Sequence, residues 1–418
     1  MPRETTTSVA VIGAGPAGLM LANLLQRRGT PCQVVERLSR ERVLARARAG
    51  MLEHRTVELL DRIGLGERMH AEGAVHNGCE FRYGETSFFA DYSAMYDDTP
   101  HVIYPQQEVV ADLLAGFEAG GGRVRFETTV MSVEGHLDGT PRIVCSDGSV
   151  ITAEFLAGAD GQYGASRAAL PDGSYSDHEM QHEFRWLTLL AQAAPSADWT
   201  IYAQQDGGFA GHLLRTDEVT RFHLQVPFGD TVEDWPDERI WHELRTRLGR
   251  PGWTLNEGPV ISKNMLEMRS RVTEPMRFGR LFLLGDAAHI ITPSGGKGMN
   301  LAIADAAELD VVLAHHATDP DEGVLDGFTL NRVPDIWKAQ EFSHALIHMM
   351  HTYPGDTPDA AFRQKVQRSR LWQLQHSRAY ARNFAESYIG PSLRWPEPAH
   401  PLTGGDRAAP VPAPEPVG

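Results

Sequence analysis

The sequence predicts an α/β protein in which a discontinuous, mostly parallel sheet carries an inserted antiparallel β-sheet and is followed by a C-terminal helical segment. Apolar strands that lead into glycine-containing turns occur far apart in the chain, at 8–12, 155–161 and 281–286. The stretch 181–268 between them shows the partial alternation of an antiparallel meander. Residues 334–388 then show helical periodicity without strand signals.

The N-terminal segment is typical of a βαβ unit. Residues 8–12 form a continuous apolar run, as expected of a parallel strand that is covered on both faces. Pro16 can open a helix without losing a hydrogen bond, and the helix should be buried because 19–25 is apolar nearly all round. Gly29 ends this helix, and a second strand follows at 32–35.

The turn between this strand and helix has the pattern G-x-G-x-x-G. Gly13 allows the tight turn, Gly15 lets the backbone approach a pyrophosphate, and Gly18 lets the helix pack closely on the strand. The helix N-terminus adds unpaired N–H groups and a positive dipole. Glu36 ends the second strand, where a carboxylate can accept from ribose hydroxyls. These residues predict a Rossmann-like dinucleotide site and leave FAD and NAD open.

Composition and charge exclude several classes of protein. The chain has 418 residues and a formal net charge of −16 at pH 7, which argues against a nucleic-acid partner. No apolar run approaches the ~18 residues of a membrane span, and the N-terminus is too polar for a secretion signal. Three widely spaced cysteines argue against a disulfide framework. We therefore expect a cytoplasmic protein that contacts neither nucleic acid nor a membrane.

The two later turns carry a family resemblance. The segment 159–161 (Ala-Asp-Gly) with Ser166 and Arg167, and the segment 285–289 (Gly-Asp-Ala-Ala-His), resemble the paired signatures of group A flavoprotein aromatic hydroxylases. The resemblance extends from Val9 to about Gly390 and includes the stretches 47–50, 225–227, 232–235 and 295–300. It implies FAD as the cofactor.

With this resemblance, the segments divide into domains. We expect a FAD-binding domain from 1–75, 100–180 and 269–333, a β-rich substrate domain from 76–99 and 181–268, a helical region at 334–395, and a disordered proline-rich tail at 396–418. An exposed helical layer suits a homodimer, which the resemblance also implies.

The resemblance assigns a set of residues to FAD. Asp286 would accept hydrogen bonds from the ribityl chain, and backbone N–H groups around 298–300 would stabilise negative charge on the reduced ring. The full set of expected cofactor residues is Gly13, Gly15, Gly18, Glu36, Arg46, Arg48, Gln106, Asp160, Asp286, Lys297, Gly298, Met299 and Asn300.

The resemblance also implies the reaction. NADPH (or NADH) would reduce FAD, and O2 would form a flavin C4a-hydroperoxide whose distal oxygen attacks an electron-rich phenol. Because a phenolate is the better carbon nucleophile, Tyr202, Tyr388 and His76 would carry the phenolic proton to solvent. The carbonyl of Pro293 would contact the substrate hydroxyl.

The expected substrate site departs from the family pattern. Arg215 matches the arginine that holds a substrate carboxylate, and Leu213 shares its strand face because side chains repeat with period two. Leu213 and His223 replace a serine and a tyrosine that would assist this arginine. The small-molecule aromatic carboxylate is therefore 4-hydroxybenzoate bound by rearranged donors, or an amino-substituted relative, which we favour.

The remaining predictions concern the coenzyme, a cluster of histidines and rival functions. Arg37, Arg167 and Arg269 are the expected NAD(P)H contacts, although Tyr163 stands where a histidine is common in the family. His344, His348 and His351 share a helix face, but without an H-E-x-x-H pattern they predict no metal site. Rival functions are a flavin-dependent halogenase or oxidase acting on another aromatic acid, or a non-catalytic FAD-binding protein.

Overall fold

The computed structural model describes residues 4–46, 48, 50–95, 99–353 and 358–390. In chain order, the described strands are β1 (Glu4–Ile12), β2 (Cys32–Val35), β3 (Met51–Leu52), β4 (Ala74–His76), β5 (Cys79–Tyr83), β6 (Thr86–Ala90), β7 (His101–Ile103), β8 (Val124–Arg125), β9 (Val130–Glu134), β10 (Arg142–Cys145), β11 (Val150–Gly158), β12 (Ser176–Ala191), β13 (Thr200–Gln205), β14 (Gly208–Thr216), β15 (Val219–Val226), β16 (Val260–Glu274), β17 (Arg277–Phe278), β18 (Leu281–Leu283) and β19 (His289–Ile290).

The described helices are α1 (Pro16–Arg27), α2 (Arg40–Leu44), α3 (His54–Arg62), α4 (Glu67–Glu72), α5 (Tyr92–Met95), α6 (Gln106–Ala119), α7 (Ala165–Ala168), α8 (Asp237–Leu248), α9 (Lys297–Thr318), α10 (Glu322–Met350), α11 (Ala360–His376) and α12 (Arg378–Ile389). The expected tail at 396–418 lies outside the described residues.

The first large sheet contains the N-terminal βαβ unit. β1 lies between β2 and β11 and runs parallel to both, and β18 continues the parallel order beyond β11. β1 starts at Glu4, earlier than the apolar run predicts, because its polar first residues pair with the start of β11. The carboxyl ends of these strands meet at one edge, which is where parallel sheets bind ligands.

The second large sheet has eight strands in the order β19-β16-β12-β15-β14-β13-β5-β6. Its pairs are antiparallel except for β13 with β5. One face packs against α8 through a core that includes Leu187, Phe222 and Leu244. The opposite face, which presents Trp186 and Tyr202, packs against α10, α11 and α12. This mixed architecture confirms the predicted fold class.

Two long strands carry the chain between the sheets. β12 and β16 pair with each other along most of their lengths, and the expected boundaries at 180/181 and 268/269 fall inside them. The boundary at 333/334 likewise falls inside α10. Each of these elements continues without a break across a boundary that was placed where the sequence composition changes. The division into domains therefore stays a prediction.

A small third sheet places β7 between β3 and β4. Among the described residues, no helix combines the length and the apolar character that crossing a bilayer requires.

Candidate active site

The glycine turn after β1 leaves space at the position where a pyrophosphate is expected. A Cβ built on Gly13 would lie 2.3 Å from the carbonyl oxygen of Ala159, and one on Gly18 would lie 2.0 Å from that of Gly13, so neither position accepts a side chain. A Cβ on Gly15 meets nothing within 4 Å. Gly15 is the N-cap of α1 and no side chain caps this helix, so its first N–H groups remain available to an anion.

Glu36 lies beside this turn at the end of β2. Its Oε2 accepts from the backbone N–H of Ala14 at 2.8 Å, and its Oε1 accepts from that of Leu38 at 2.9 Å. The carboxylate is thereby held next to the glycine turn with lone pairs to spare, which is the arrangement that ribose recognition requires.

A second turn, after β18, brings Asp286 to the same edge of the sheet. Asp286 Oδ2 lies 3.2 Å from Nη1 of Arg48, and both side chains are close to half exposed. Arg46 is exposed on the same loop, whose residues 47 and 49 lie outside the described part of the chain. Because exposed ion pairs are weak, Asp286 and Arg48 can separate and bind a ligand instead at little cost in free energy.

Asp160 follows β11 and points towards its own backbone. Its Oδ2 accepts from the N–H of Ser166 at 3.0 Å, while its Oδ1 is buried without a hydrogen-bond partner. Burial raises the pKa of Asp160 despite these backbone donors. The carboxylate therefore shapes the turn into α7 and leaves one acceptor unsatisfied.

The start of α9 offers backbone donors to a cofactor. Gly295 and Gly296 adopt φ of +79° and +67°, which reverses the chain directly before the helix. No side chain caps α9, so the N–H groups of Gly298 and Met299 lie in the uncapped first turn. Pro293 begins the reversal, and its carbonyl accepts from the N–H of Gly296 at 3.1 Å.

Two expected cofactor side chains at this helix point elsewhere. Lys297 is buried and donates to Glu53 Oε1 at 2.8 Å and to the carbonyl of Tyr388 at 2.6 Å. Burial lowers the pKa of Lys297 against the opposing charge of Glu53. Asn300 accepts from the N–H of Glu53 and donates to the carbonyl of Met51, so its amide is occupied within the protein. Both side chains are thus engaged within the protein, and a cofactor contact at these positions, through the backbone at 298–300, stays a prediction.

A hydrogen-bonded group of buried rings occupies one end of the sheet face that packs on the C-terminal helices. We call it the tyrosine end: Tyr202, Tyr388, Tyr92 and His76. The hydroxyls of Tyr202 and Tyr388 lie 3.3 Å apart, and the ring of Tyr388 stacks on Tyr92 at 4.5 Å. His76 Nδ1 bonds the hydroxyl of Tyr92, and its Nε2 bonds Thr200 Oγ1 at 2.8 Å.

This arrangement differs from the expected order in one respect. His76 bonds the hydroxyl of Tyr92, and Tyr92 contacts Tyr388 by ring stacking and not by a hydrogen bond. Tyr92 was missed by the sequence interpretation because it lies on a short helix with no motif around it. Burial raises the pKa of Tyr202 and of Tyr388 and lowers the pKa of His76 to about 4.

The other end of the same sheet face carries guanidinium groups. We call it the arginine end: Leu213, Arg215, Arg221 and His223. Leu213 pairs with Arg221 in the register of β14 and β15, and Gly211 pairs with both Tyr202 and His223. Leu213, Arg221 and His223 share one face because they lie at alternate, paired positions of their strands, and Arg215 follows at a register shift of β14.

Arg215 bridges this face to the FAD-binding region. It donates to the carbonyl of Arg48 at 2.8 Å and to Oε1 of Gln107 at 2.8 Å. Gln107 follows Gln106, the expected FAD contact, which is half-buried at the start of α6. Burial lowers the pKa of Arg215. Arg215 thus lies in the cleft between the inserted sheet and the loop that carries Arg48.

Arg221 is a site residue that the sequence interpretation missed. Its Nε is buried without a hydrogen-bond partner, and burial together with the charge of Arg215 lowers its pKa to about 10. Among the described residues, neither arginine forms a salt bridge with a carboxylate. Because side chains on one face of a strand repeat every second residue, the position of His223 could have predicted that Arg221 lies on the same face.

Stacked rings line the face between the two ends. His223 stacks on Trp186 with ring centroids 4.4 Å apart, and Trp186 donates to His351 Nε2 at 2.5 Å. His223 Nδ1 is buried without a partner, and burial holds the pKa of His223 well below its usual value. His223 is therefore a neutral ring with an unsatisfied nitrogen facing an otherwise aromatic wall that includes Phe209.

The three arginines expected to contact NAD(P)H lie in different settings. Arg37 is exposed, and Arg269 lies 4.0 Å from Glu179 on the surface of β16. Arg167 is largely buried and donates to Thr273 Oγ1 at 2.7 Å and to Asp177 Oδ2 at 2.5 Å. Arg167 thus joins α7 to the strands, and its expected contact with NAD(P)H stays a prediction.

Comparison with known proteins defines the class. The chain matches the family described as FAD binding domain over residues 6–343. It is 36% identical over 387 residues to p-hydroxybenzoate hydroxylase of Acinetobacter baylyi, covering 92% of this chain and 95% of that protein. It is 29% identical over 360 residues to rifampicin monooxygenase of Streptomyces venezuelae, covering 83% and 72% of the two chains.

Solved structures agree on the fold. The crystal structure of p-nitrophenol 4-monooxygenase PnpA from Pseudomonas putida matches with a TM-score of 0.77 at 19% identity, over 93% of this chain and 99% of that one. The ternary complex of aklavinone-11 hydroxylase with FAD and aklavinone matches with a TM-score of 0.68 at 24% identity, over 82% and 69%.

The fold and the open glycine turn define a FAD-binding oxidoreductase. The chain belongs to the group A flavoprotein aromatic hydroxylases. The predicted family, the predicted enzyme class and FAD as the cofactor are thereby confirmed, whereas the roles of individual site residues stay predictions.

Proposed function

We propose that this enzyme hydroxylates the ring of a 4-hydroxybenzoate-type substrate, with NADPH as the electron donor and O2 as the source of oxygen. The observation that carries the proposal is that two guanidinium groups without a salt bridge to any described carboxylate, one of them with a buried unpartnered Nε, lie on the inserted sheet that also carries the hydrogen-bonded Tyr202. A para-hydroxylated benzoate has a carboxylate for the first end and a phenol for the second. The 36% identical relative, a p-hydroxybenzoate hydroxylase by name, supports this choice.

The arginine end is suited to a carboxylate. Burial and the charge of Arg215 lower the pKa of Arg221, and the charge of Glu108 offsets the burial of Arg215 only in part, without a salt bridge between these two residues. A bound anion relieves the repulsion between the two arginines and accepts charge-assisted hydrogen bonds from guanidinium N–H groups. Both contacts also fix the direction of the ring, because the carboxylate and the para position lie on one axis.

The tyrosine end is suited to moving one proton. Tyr202 and Tyr388 stay protonated at neutral pH because burial raises both pKa values. Tyr202 can therefore donate to the phenol oxygen as negative charge develops there, and it can exchange protons with Tyr388. His76 bonds the hydroxyl of Tyr92, whose ring stacks on Tyr388, so a proton path to His76 requires a further link between these two tyrosine hydroxyls, such as a water molecule. FAD, when bound at the glycine turns, supplies the electron transfer and oxygen activation.

His223 favours a ring that carries an amino group. In the strand register His223 lies level with Tyr202, across Gly211, and its Nδ1 is buried without a partner. An aromatic amine beside the hydroxyl can donate to this neutral nitrogen, whereas 4-hydroxybenzoate leaves it unsatisfied. A buried unsatisfied group costs about 1–3 kcal/mol. Leu213 excludes water from the same region.

The test uses the purified FAD-loaded enzyme and four compounds. They are 4-hydroxybenzoate, 3-amino-4-hydroxybenzoate, benzoate without the hydroxyl, and 4-hydroxybenzamide without the charge. We expect the first two to accelerate NADPH oxidation with stoichiometric oxygen uptake and a hydroxylated product, and the amino compound to give the higher kcat/KM. Equal stimulation by benzoate or by the amide would refute the two-ended site, and repeating the assay with NADH measures the coenzyme preference.

Assembly and location are further parts of the proposal. We propose a homodimer because large apolar side chains are exposed on the last helices, among them Phe362 at 73% and Trp372 at 55%. Sedimentation analysis that shows a concentration-independent monomer would contradict it. The buried free thiols of Cys79 and Cys145 suit a reducing cytoplasm.

A further inference from the structure

Three histidines meet outside the proposed substrate site. His182 lies on β12, and His344 and His348 lie one turn apart on the face of α10 that packs against this strand. One ring nitrogen from each histidine lies within 4.8 Å of one from each of the others. Sequence spacing suggested His351 as the third member, but His351 is engaged with Trp186 and the carbonyl of Ile347.

The pairing of the long strands explains how His182 reaches α10. The register of β12 on β16 shifts between Gln181 and Arg185, so more residues of β12 than of β16 occupy this interval. An irregularity of this kind bends the strand and redirects its side chains. His182 lies within this shifted segment and is 2% exposed.

Two of the rings are oriented by hydroxyl groups and have one nitrogen free. His182 Nε2 bonds Ser270 Oγ at 3.0 Å, and its Nδ1 is buried without a partner. His348 Nδ1 bonds the hydroxyl of Tyr353, and its Nε2 is buried without a partner. A metal-ligating histidine is held in this manner, with the second nitrogen bonded to an oxygen that fixes the ring.

We propose that His182, His344 and His348 bind one divalent transition-metal ion, with zinc as the ion of best fit and water as its remaining ligand. Imidazole nitrogens are preferred zinc ligands, and three of them with water form a common tetrahedral set. Ligand nitrogens about 2.0–2.1 Å from zinc lie about 3.4 Å apart, so small side-chain rotations bring the three rings into place. His344 is partly exposed and gives the ion a path from solvent.

The electrostatic surroundings set a moderate affinity. Glu341 provides negative charge next to His344, whereas Arg363 and Arg370 provide positive charge near His348. Bound metal would join β12 to α10 directly behind Phe184, whose ring packs against both His348 and His351.

The experiment uses tag-free, FAD-loaded enzyme that has been treated with a chelator and then titrated with Zn²⁺ against a chromophoric competitor. We expect one zinc per chain, no competition by Mg²⁺, and a tetrahedral cobalt spectrum when Co²⁺ replaces zinc. His344→Asn and His348→Asn should each lower zinc affinity about 100-fold, and Ser270→Ala about 10-fold through loss of the hydroxyl that orients His182. Flavin content verifies that each variant is folded.

His315→Asn is the matched control, because His315 is exposed on α9 and should leave zinc affinity unchanged. Zinc should also raise the unfolding temperature of the wild type and of His315→Asn but not of His348→Asn. The proposal is overturned if the wild type retains no zinc, or if His344→Asn and His348→Asn bind zinc as tightly as the wild type. Because the chain has 18 histidines, equal binding by these variants would identify adventitious surface sites.

Discussion

The two ends of the candidate active site lie on one sheet face but differ in how well the protein satisfies them. At the tyrosine end, Tyr202 bonds to Tyr388, and His76 bonds to Tyr92 and Thr200, so each of these side chains has a hydrogen-bond partner without a ligand. At the arginine end, Arg221 and His223 each have a buried nitrogen without a partner. The polar groups of the tyrosine end are hydrogen-bonded within the protein, whereas those of the arginine end require a ligand to satisfy them.

This difference indicates which end determines the substrate. A complete group tolerates little change, because removing one member leaves another buried and unpaired. An incomplete group favours the ligand that satisfies it, so we expect Leu213 and His223 to affect which substrate binds and the tyrosines to affect the reaction. Variants at the two ends should therefore affect different kinetic quantities.

The largest expected effect follows from Arg215→Ala. Loss of two charge-assisted hydrogen bonds in a partly desolvated cleft should raise KM for 4-hydroxybenzoate about 100-fold. The amide analogue, which has no charge, should lose far less. Steady-state kinetics measure both, with Arg245→Ala on the exposed face of α8 as the control. An unchanged KM would mean that the carboxylate binds elsewhere.

Tyr202→Phe should act on coupling instead of binding. Without its hydroxyl the phenol keeps its proton, so the flavin is still reduced but oxygen is released as peroxide. We expect the yield of hydroxylated product per NADPH to fall about 10-fold or more. Product and peroxide are quantified together, and Tyr175→Phe, a tyrosine packed on Phe278, provides the control. Normal coupling in Tyr202→Phe would remove the basis for the proton path.

The double variant Leu213→Ser with His223→Tyr tests whether the arginine end selects the substrate. It restores the two hydroxyls that the family resemblance implies and removes the acceptor for an amine. The ratio of kcat/KM for 3-amino-4-hydroxybenzoate over 4-hydroxybenzoate should fall about 10-fold, which is the value of one hydrogen bond. An unchanged ratio would show that neither Leu213 nor His223 distinguishes a ring with an amino group from a ring without one.

The smallest effect concerns pH. The folded-state pKa of His76 is lowered to about 4 by burial, so the unfolded chain binds the extra proton first. Its contribution to stability is therefore present above about pH 6.5 and is lost as pH falls towards 4. The free energy of unfolding should decline over this interval, and less steeply in His76→Asn.

Coupling should show no inflection near pH 6.5, since His76 is neutral on both sides of that value. A wild-type inflection near pH 6.5 that disappears in His76→Asn would show that this histidine titrates normally and is not buried as described.

Local patterns predicted the parts of the fold and site that depend on the backbone. The G-x-G-x-x-G turn required glycine at positions where a Cβ would strike a carbonyl, so sequence and geometry agree there. Period two placed Leu213 opposite Arg221, whereas Arg215 lies at a register shift of β14, so its sharing a face with Leu213 stays a prediction. The same rule, applied to β15, would have added Arg221 beside His223.

Side-chain directions and distant partners could not be predicted in this way. Lys297 occupies a cofactor motif, yet its ammonium turns to Glu53, more than 200 residues earlier in the chain. Tyr92 and Trp186 enter the site from segments without a motif, and only the packed structure brings them to Tyr388 and His223. Contacts between remote segments decide these cases, and periodicity carries no information about them.

The bond from Lys297 to the carbonyl of Tyr388 makes the last helix a structural support for the first turn of α9. If α12 were deleted, this ammonium would lose an acceptor in an apolar interior and Glu53 would be its remaining buried partner. Chimeras between related hydroxylases should therefore exchange the segments around Glu53, Lys297 and Tyr388 as one block, although they are far apart in the gene. A chimera that takes α12 from one relative and the first turn of α9 from another would lose this bond, and the backbone at the start of α9 would be disturbed.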